Sequence, residues 1–129
     1  MLAVGDTVLL PKPGQDKCHL WVLVTAGNPA TGEVIIVNLT TERPHSDKTV
    51  VIKPGEHRFV GRPTVVFYAD ARLVPLAALE AAVNQGIARQ HDPLEPALLK
   101  RVQDGLLNSP WTPGRIKTAF MAARQEGRA

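Results

Sequence analysis

The chain changes character at Val74-Pro75, and that seam constrains its fold more than any other feature. On the N-terminal side the apolar runs are short, rich in Val and Ile, and bounded by Gly, Pro or Asp, the pattern of strands joined by turns. On the C-terminal side the apolar residues recur at helical spacing and the β-branched aliphatics thin out. The expected fold is mainly β with a helical C-terminal part. A β unit occupies 1–75, and a helical extension over 76–129 packs on it or on a second subunit.

The strand candidates are Thr7–Leu10, Leu20–Thr25, Glu33–Thr41, Thr49–Ile52, Thr64–Tyr68 and Ala71–Val74. The first is broken by Pro11-Lys12-Pro13-Gly14, because proline offers no N–H to a ladder. Six short strands joined by turns suggest a small antiparallel barrel or strongly bent sheet, since an open sheet this apolar exposes edges to self-association. Trp21, Phe67 and Tyr68 lie within strands and read as core or subunit contacts.

In the extension, Leu76, Leu79, Val83 and Ile87 share one face of a first helix. Asp92-Pro93 carries the signal of an N-cap followed by proline, and Leu94, Leu98, Val102 and Leu106 line a second helix. Thr112-Pro113 repeats that start ahead of Ile116, Phe120 and Ala123, with Trp111 and Pro113 reading as packing and capping residues.

A chain of 129 residues holds one core and has no room for a separate catalytic domain. Aromatics are only 5% of the residues, so a row of stacking platforms for nucleobases is not expected. The formal charge of +3 permits contact with nucleic acid without requiring it. The basic end is the C-terminus, where Arg115, Lys117, Arg124 and Arg128 face only Glu126. A single cysteine, Cys18, forbids an internal disulfide, and Met1–Asp6 carries no signal-peptide pattern, so a reducing cytoplasm is the expected location. No apolar stretch approaches the roughly 20 residues of a membrane span.

Three constellations could carry chemistry. His45-x-Asp47 with His57 offers imidazoles near a carboxylate, a set that suits acid–base work or, equally, a solvated loop. The spacing matches no common zinc pattern. Thr40 and Arg72 each end or border an apolar strand, where a hydroxyl and a guanidinium could share a phosphate; alternatively Arg72 pairs with Asp70 or Asp47. Ser109–Lys117 opens a helix with basic residues, a place for an anion or simply a solvated face.

The β half resembles the PemK/MazF-like toxins. Gly5-Asp6-Thr7-Val8 looks like their opening, and Leu20–Thr25 is similar to their second strand. Asn38-Leu39-Thr40-Thr41 resembles the end of their third strand, and Ala71-Arg72-Leu73-Val74 looks like the segment that carries their arginine. The resemblance spans roughly residues 5–74. It implies an SH3-like barrel, a homodimer, an antitoxin-like protein partner, and cleavage of single-stranded RNA without a metal or other cofactor. It further implies that Arg72 contacts the scissile phosphate, that Thr40 lines the same groove, and that His57 or Asp47 carries the proton. Lys17, His19, Arg62, Arg115 and Lys117 are the basic candidates for holding the nucleic acid. Three departures stand out: Leu73-Val74-Pro75 lacks the acidic residue that often follows the family's arginine, the His19-Leu20 region replaces the arginine that opens the second strand, and the helical tail over 76–129 is longer than a compact toxin needs. The alternative is a non-catalytic module that binds nucleic acid or protein through the barrel surface and the basic C-terminal helix.

Overall fold

The computed structural model describes residues 1–12 and 14–129, so the Pro13 part of the expected break lies outside the described residues. Six strands form one curled antiparallel sheet, a half-barrel, and three helices pack against it. The strands are β1 (Thr7–Pro11), β2 (Cys18–Leu23), β3 (Glu33–Thr41), β4 (Val51–Ile52), β5 (Thr64–Pro75) and β6 (Arg89–His91). Their spatial order is β4-β5-β3-β2-β1-β6.

Three details differ from the sequence expectation. The two segments on either side of Asp70 are one twelve-residue strand, β5, bent by an irregularity in its pairing with β3. Of the fourth candidate only Val51–Ile52 forms strand, opposite Val65 and Thr64 of β5, while Val50 adds one long bond, its carbonyl accepting the Val66 N–H at 3.4 Å. The sixth strand is Arg89-Gln90-His91, beyond the seam, paired to Leu9, Val8 and Thr7. Nothing in its polar sequence favours a strand; the exposed edge of β1 captures it, as β-pairing is decided by context more than by propensity.

The helices are α1 (Leu76–Asn84), α2 (Pro96–Asn108) and α3 (Gly114–Gln125). Helix α1 stops where Gly86 adopts φ +76, a left-handed conformation that costs glycine little, so Ile87 falls outside the helix and is exposed. Helix α2 starts later than Asp92-Pro93 suggests, with Glu95 as its N-cap residue. The Asp92 carbonyl instead accepts hydrogen bonds from Thr7 Oγ1 (2.7 Å) and His57 Nε2 (2.8 Å). Thr112 caps no helix start: its hydroxyl donates to the Leu106 carbonyl at 2.7 Å, satisfying an orphan acceptor at the end of α2. Trp111, expected to pack, is exposed.

Alternation along the strands divides the core in two. Leu20, Val22, Ile35, Val37, Val66 and Tyr68 turn to the face covered by α2 and α3, where they meet Leu98, Val102, Leu106, Ile116 and Phe120. Val8, Trp21, Leu23, Val34 and Ile36 turn to the other face, which Leu2 and Leu79 of α1 cover in part. No helix is long and apolar enough to cross a membrane among the described residues.

Candidate functional site

Antiparallel pairing gathers the start of β2, the end of β3 and the start of β5 at one rim of the sheet. The loops β1–β2, β3–β4 and β4–β5 meet there. They enclose an open groove of about 320 Å³ lined by Lys17, Cys18, His19, Thr40, Phe59 and Arg62, among others. An adjoining groove of about 280 Å³ is lined by Arg43, His45, Asp47, Val65 and Phe67. Thr40 and Thr41 line both, so the two grooves border one another at the end of β3.

The rim therefore brings together Lys17, His19, Thr40 and Arg62, with Asp47 in the neighbouring groove. His19 is half-buried; burial first, and then the cations of Lys12 and Lys17, hold its pKa below the ordinary 6.5 against the opposing pull of the Leu39 backbone and Asp70. Its imidazole is thus poised to accept a proton at neutral pH. Burial raises the Asp47 pKa, but hydrogen bonds from Ser109 and Thr49 outweigh it and keep the carboxylate below its ordinary value. Ser109 Oγ donates to Asp47 Oδ2 at 2.6 Å, and Thr49 donates its amide to Oδ1 at 2.9 Å. These bonds fold the β3–β4 loop and occupy the carboxylate.

His57 stands elsewhere. It is buried, its Nδ1 accepts the Phe59 N–H at 3.0 Å, and its Nε2 donates to the Asp92 carbonyl at 2.8 Å. With both nitrogens engaged by backbone, this ring ties the β4–β5 loop to the segment before α2 and faces neither groove. Arg72 also lines neither groove. It lies opposite Ile36, four residues along β3 from Thr40, or about 13 Å at the rise of a strand. Its guanidinium binds Asp70 at 2.9 Å and stacks 5.1 Å from the centroid of Trp21. Lys12 takes the other Asp70 oxygen at 3.0 Å, and Asn38 Nδ2 donates to it at 2.9 Å. Burial pushes Asp70 up, yet the two cations prevail and its pKa is lowered. Arg115 and Lys117 sit on α3 and line neither groove.

Sequence reasoning missed Arg43 and the two exposed phenylalanines. Phe59 lies in a loop, where burial is unreadable, and Phe67 sits in a strand whose alternation could have flagged it, since its neighbours Val66 and Tyr68 are the inward pair. Among the described residues no three His, Cys, Asp or Glu side chains converge as metal ligands.

Neither a protein-family profile nor a curated protein matches this sequence. Among solved structures, the chain is similar to one from an endoribonuclease in complex with its cognate antitoxin from Mycobacterial species. The match has a TM-score of 0.51 and 17% identity, and covers 88% of this chain and 98% of the other. At that identity the likeness is one of fold.

Proposed function

We propose that this protein is a toxin-type endoribonuclease that holds single-stranded RNA over the rim where the two grooves share Thr40 and cleaves it beside that residue. The observation that carries the reading is the placement of His19 and His45 in adjoining grooves that share Thr40, with Lys17, Arg62 and Arg43 around them. Cleavage by transesterification needs a base on one side of the phosphate and an acid on the other, because the nucleophile and leaving group lie in line. The neutral His19 imidazole removes the 2′-hydroxyl proton, and the 2′-oxygen attacks phosphorus. His45 gives a proton to the departing 5′-oxygen, leaving a 2′,3′-cyclic phosphate and a free 5′-hydroxyl. Thr40 hydrogen-bonds a phosphate oxygen, and Arg62 and Lys17 offset the charge that builds on it. In this reading Arg72 serves the Asp70 network rather than the reacting phosphate. The fold shared with an endoribonuclease held by its antitoxin supports the same assignment and an antitoxin-like partner; kinship to PemK/MazF-like toxins, a cytoplasmic site of action and a homodimer are parts of the proposal that rest on the sequence resemblance alone.

The test is incubation with single-stranded RNA, with and without EDTA, for wild type, His19→Gln, His45→Gln, Thr40→Val and Arg72→Ala. Loss of metal-independent cleavage in the first two variants, by about 10²-fold or more, with a cyclic-phosphate product, is the expected result. Cleavage that survives His19→Gln and fails in a folded Arg72→Ala would return the chemistry to the sheet face. A folded wild type that binds RNA without cutting it would mark a binding module instead.

A further inference from the structure

We infer that Phe59 and Phe67 are base-stacking positions, each seating one nucleobase of a single strand whose phosphates pass Thr40; this rests on the RNA reading above. The chain has three phenylalanines. Phe120 is fully buried, whereas Phe59 and Phe67 remain 40% and 38% exposed. Isolated exposed apolar residues are ordinary. These two are distinguished by position: one lines each groove, and the grooves meet at Thr40 and Thr41. Each ring is also propped from the protein side. His91 meets Phe59 at 5.7 Å with the planes at 77°, and the Lys12 ammonium sits 4.9 Å from the centroid of Phe67.

Charge selects the occupant. The groove linings hold Lys17, Arg62, Arg43, His19 and His45, and their one carboxylate, Asp47, is occupied by Ser109 and Thr49. A strand of RNA supplies both things this surface lacks, phosphates for the cations and π faces for the rings. Stacking tolerates any base, so the two rings fix spacing along the strand rather than its sequence.

The probe is a fluorescently labelled, fully 2′-O-methylated RNA heptamer, which has no free 2′-hydroxyl to attack and stays intact, with a fully abasic strand of the same length beside it. Binding is measured by anisotropy across a salt series for wild type, Phe59→Ala, Phe67→Ala, Phe59→Trp, Phe67→Trp and Arg62→Ala. Each alanine variant should bind the heptamer roughly 5- to 150-fold more weakly with an unchanged salt slope. The tryptophan variants should hold or gain affinity, and the abasic strand should bind wild type and alanine variants alike. Arg62→Ala should reduce the slope by about one. If Arg62→Ala behaves so while the alanine variants match wild type, stacking is overturned and the RNA reading stands, whether or not those variants lose a protein partner. Equal weakening on the abasic strand also overturns stacking. Failure of the folded wild type to bind the heptamer at low salt overturns both.

Discussion

Gly105 is the place where the packing can be tested most sharply. It lies buried inside α2, where an alanine would ordinarily stabilise a helix by about 1 kcal/mol. Here the added methyl would fall far inside van der Waals contact with Tyr68 Oη and Val50 Cγ2, and 3.0 Å from Tyr68 Cζ. The Tyr68 hydroxyl cannot yield freely, since it is buried and donates to the Val102 carbonyl at 2.7 Å. That burial also pushes its pKa well above the ordinary phenol value. Overpacking of this kind costs about 1–3 kcal/mol, and displacing the hydroxyl leaves a buried donor unpaired for about 1–3 kcal/mol more. Set against the helical gain, Gly105→Ala should destabilise by about 3 kcal/mol, a fall in Tm on the order of 10 °C. Urea unfolding followed by circular dichroism measures it. Tyr68→Phe alone should cost about 1–2 kcal/mol for the lost hydrogen bond. Because it also removes the atom most in the way, the double variant should be less destabilised than the two losses added together, by about 1 kcal/mol. A Gly105→Ala protein as stable as wild type, or strict additivity in the cycle, would refute the close approach of α2 to β5.

Three further outcomes follow from the groups around the rim. If His19 is the base, the cleavage rate must rise with pH as the ring loses its proton, and the lowered pKa puts that midpoint below 6.5; a rate that only begins to rise above that pH would exclude His19. Asp70 is depressed in the folded state, so its stabilisation is complete above the ordinary carboxylate value of 3.8 and drains away as pH falls through the lower folded value. Asp70→Asn should therefore be about 1–3 kcal/mol less stable than wild type at pH 7, with the gap closing in acid, and parallel urea midpoints at every pH would count against the network. Ser109→Ala removes the donor to Asp47 and the acceptor of the Trp111 N–H (3.1 Å), so it should cost about 1–2 kcal/mol and speed hydrogen exchange at the Thr49 amide; unchanged exchange there would mean the β3–β4 loop is held by something else.

Periodicity revealed most of the fold and little of the site, for a physical reason visible in β5. Between Asn38 and Ile36 the chain takes two steps on β3, while between their partners Phe67 and Arg72 it takes five on β5. The odd excess reverses which residues face inward. Val66 and Tyr68 are inward before the bulge, and Ala71 and Leu73 after it, so that Arg72 joins Asn38 and Trp21 on the outer face. Uninterrupted alternation would have set Arg72 on the same side as Tyr68. The interruption at Ala69-Asp70 is legible as a break between two strands, but not as a bulge within one, because the ion pairs of Asp70 that accompany it come from Lys12 and Arg72, outside the dipeptide. The same limit hid β6, which exists only because β1 has an edge to offer. His57 was legible as a loop imidazole, but its engagement by two backbone groups depends on Asp92, thirty-five residues away. By contrast His19 and Thr40 could be placed at one rim, since consecutive antiparallel strands bring the start of β2 to the end of β3, whereas Arg62 joins them only because β5 rather than β4 pairs with β3.

Helix α2 explains why that rim can be built from loops and still be specific in shape. Arg101, Gly105 and Ser109 are spaced four apart, so they lie along one face of the helix. Arg101 binds Glu56 and donates to the Val51 carbonyl at 2.8 Å, which fixes the chain entering the β4–β5 loop. Ser109 holds Asp47 of the β3–β4 loop. Gly105, between them, lets the helix come close enough to β5 for both ends to reach. The helix thus sets the separation of the two loops that carry Phe59 and Arg62 on one side and Arg43 and His45 on the other.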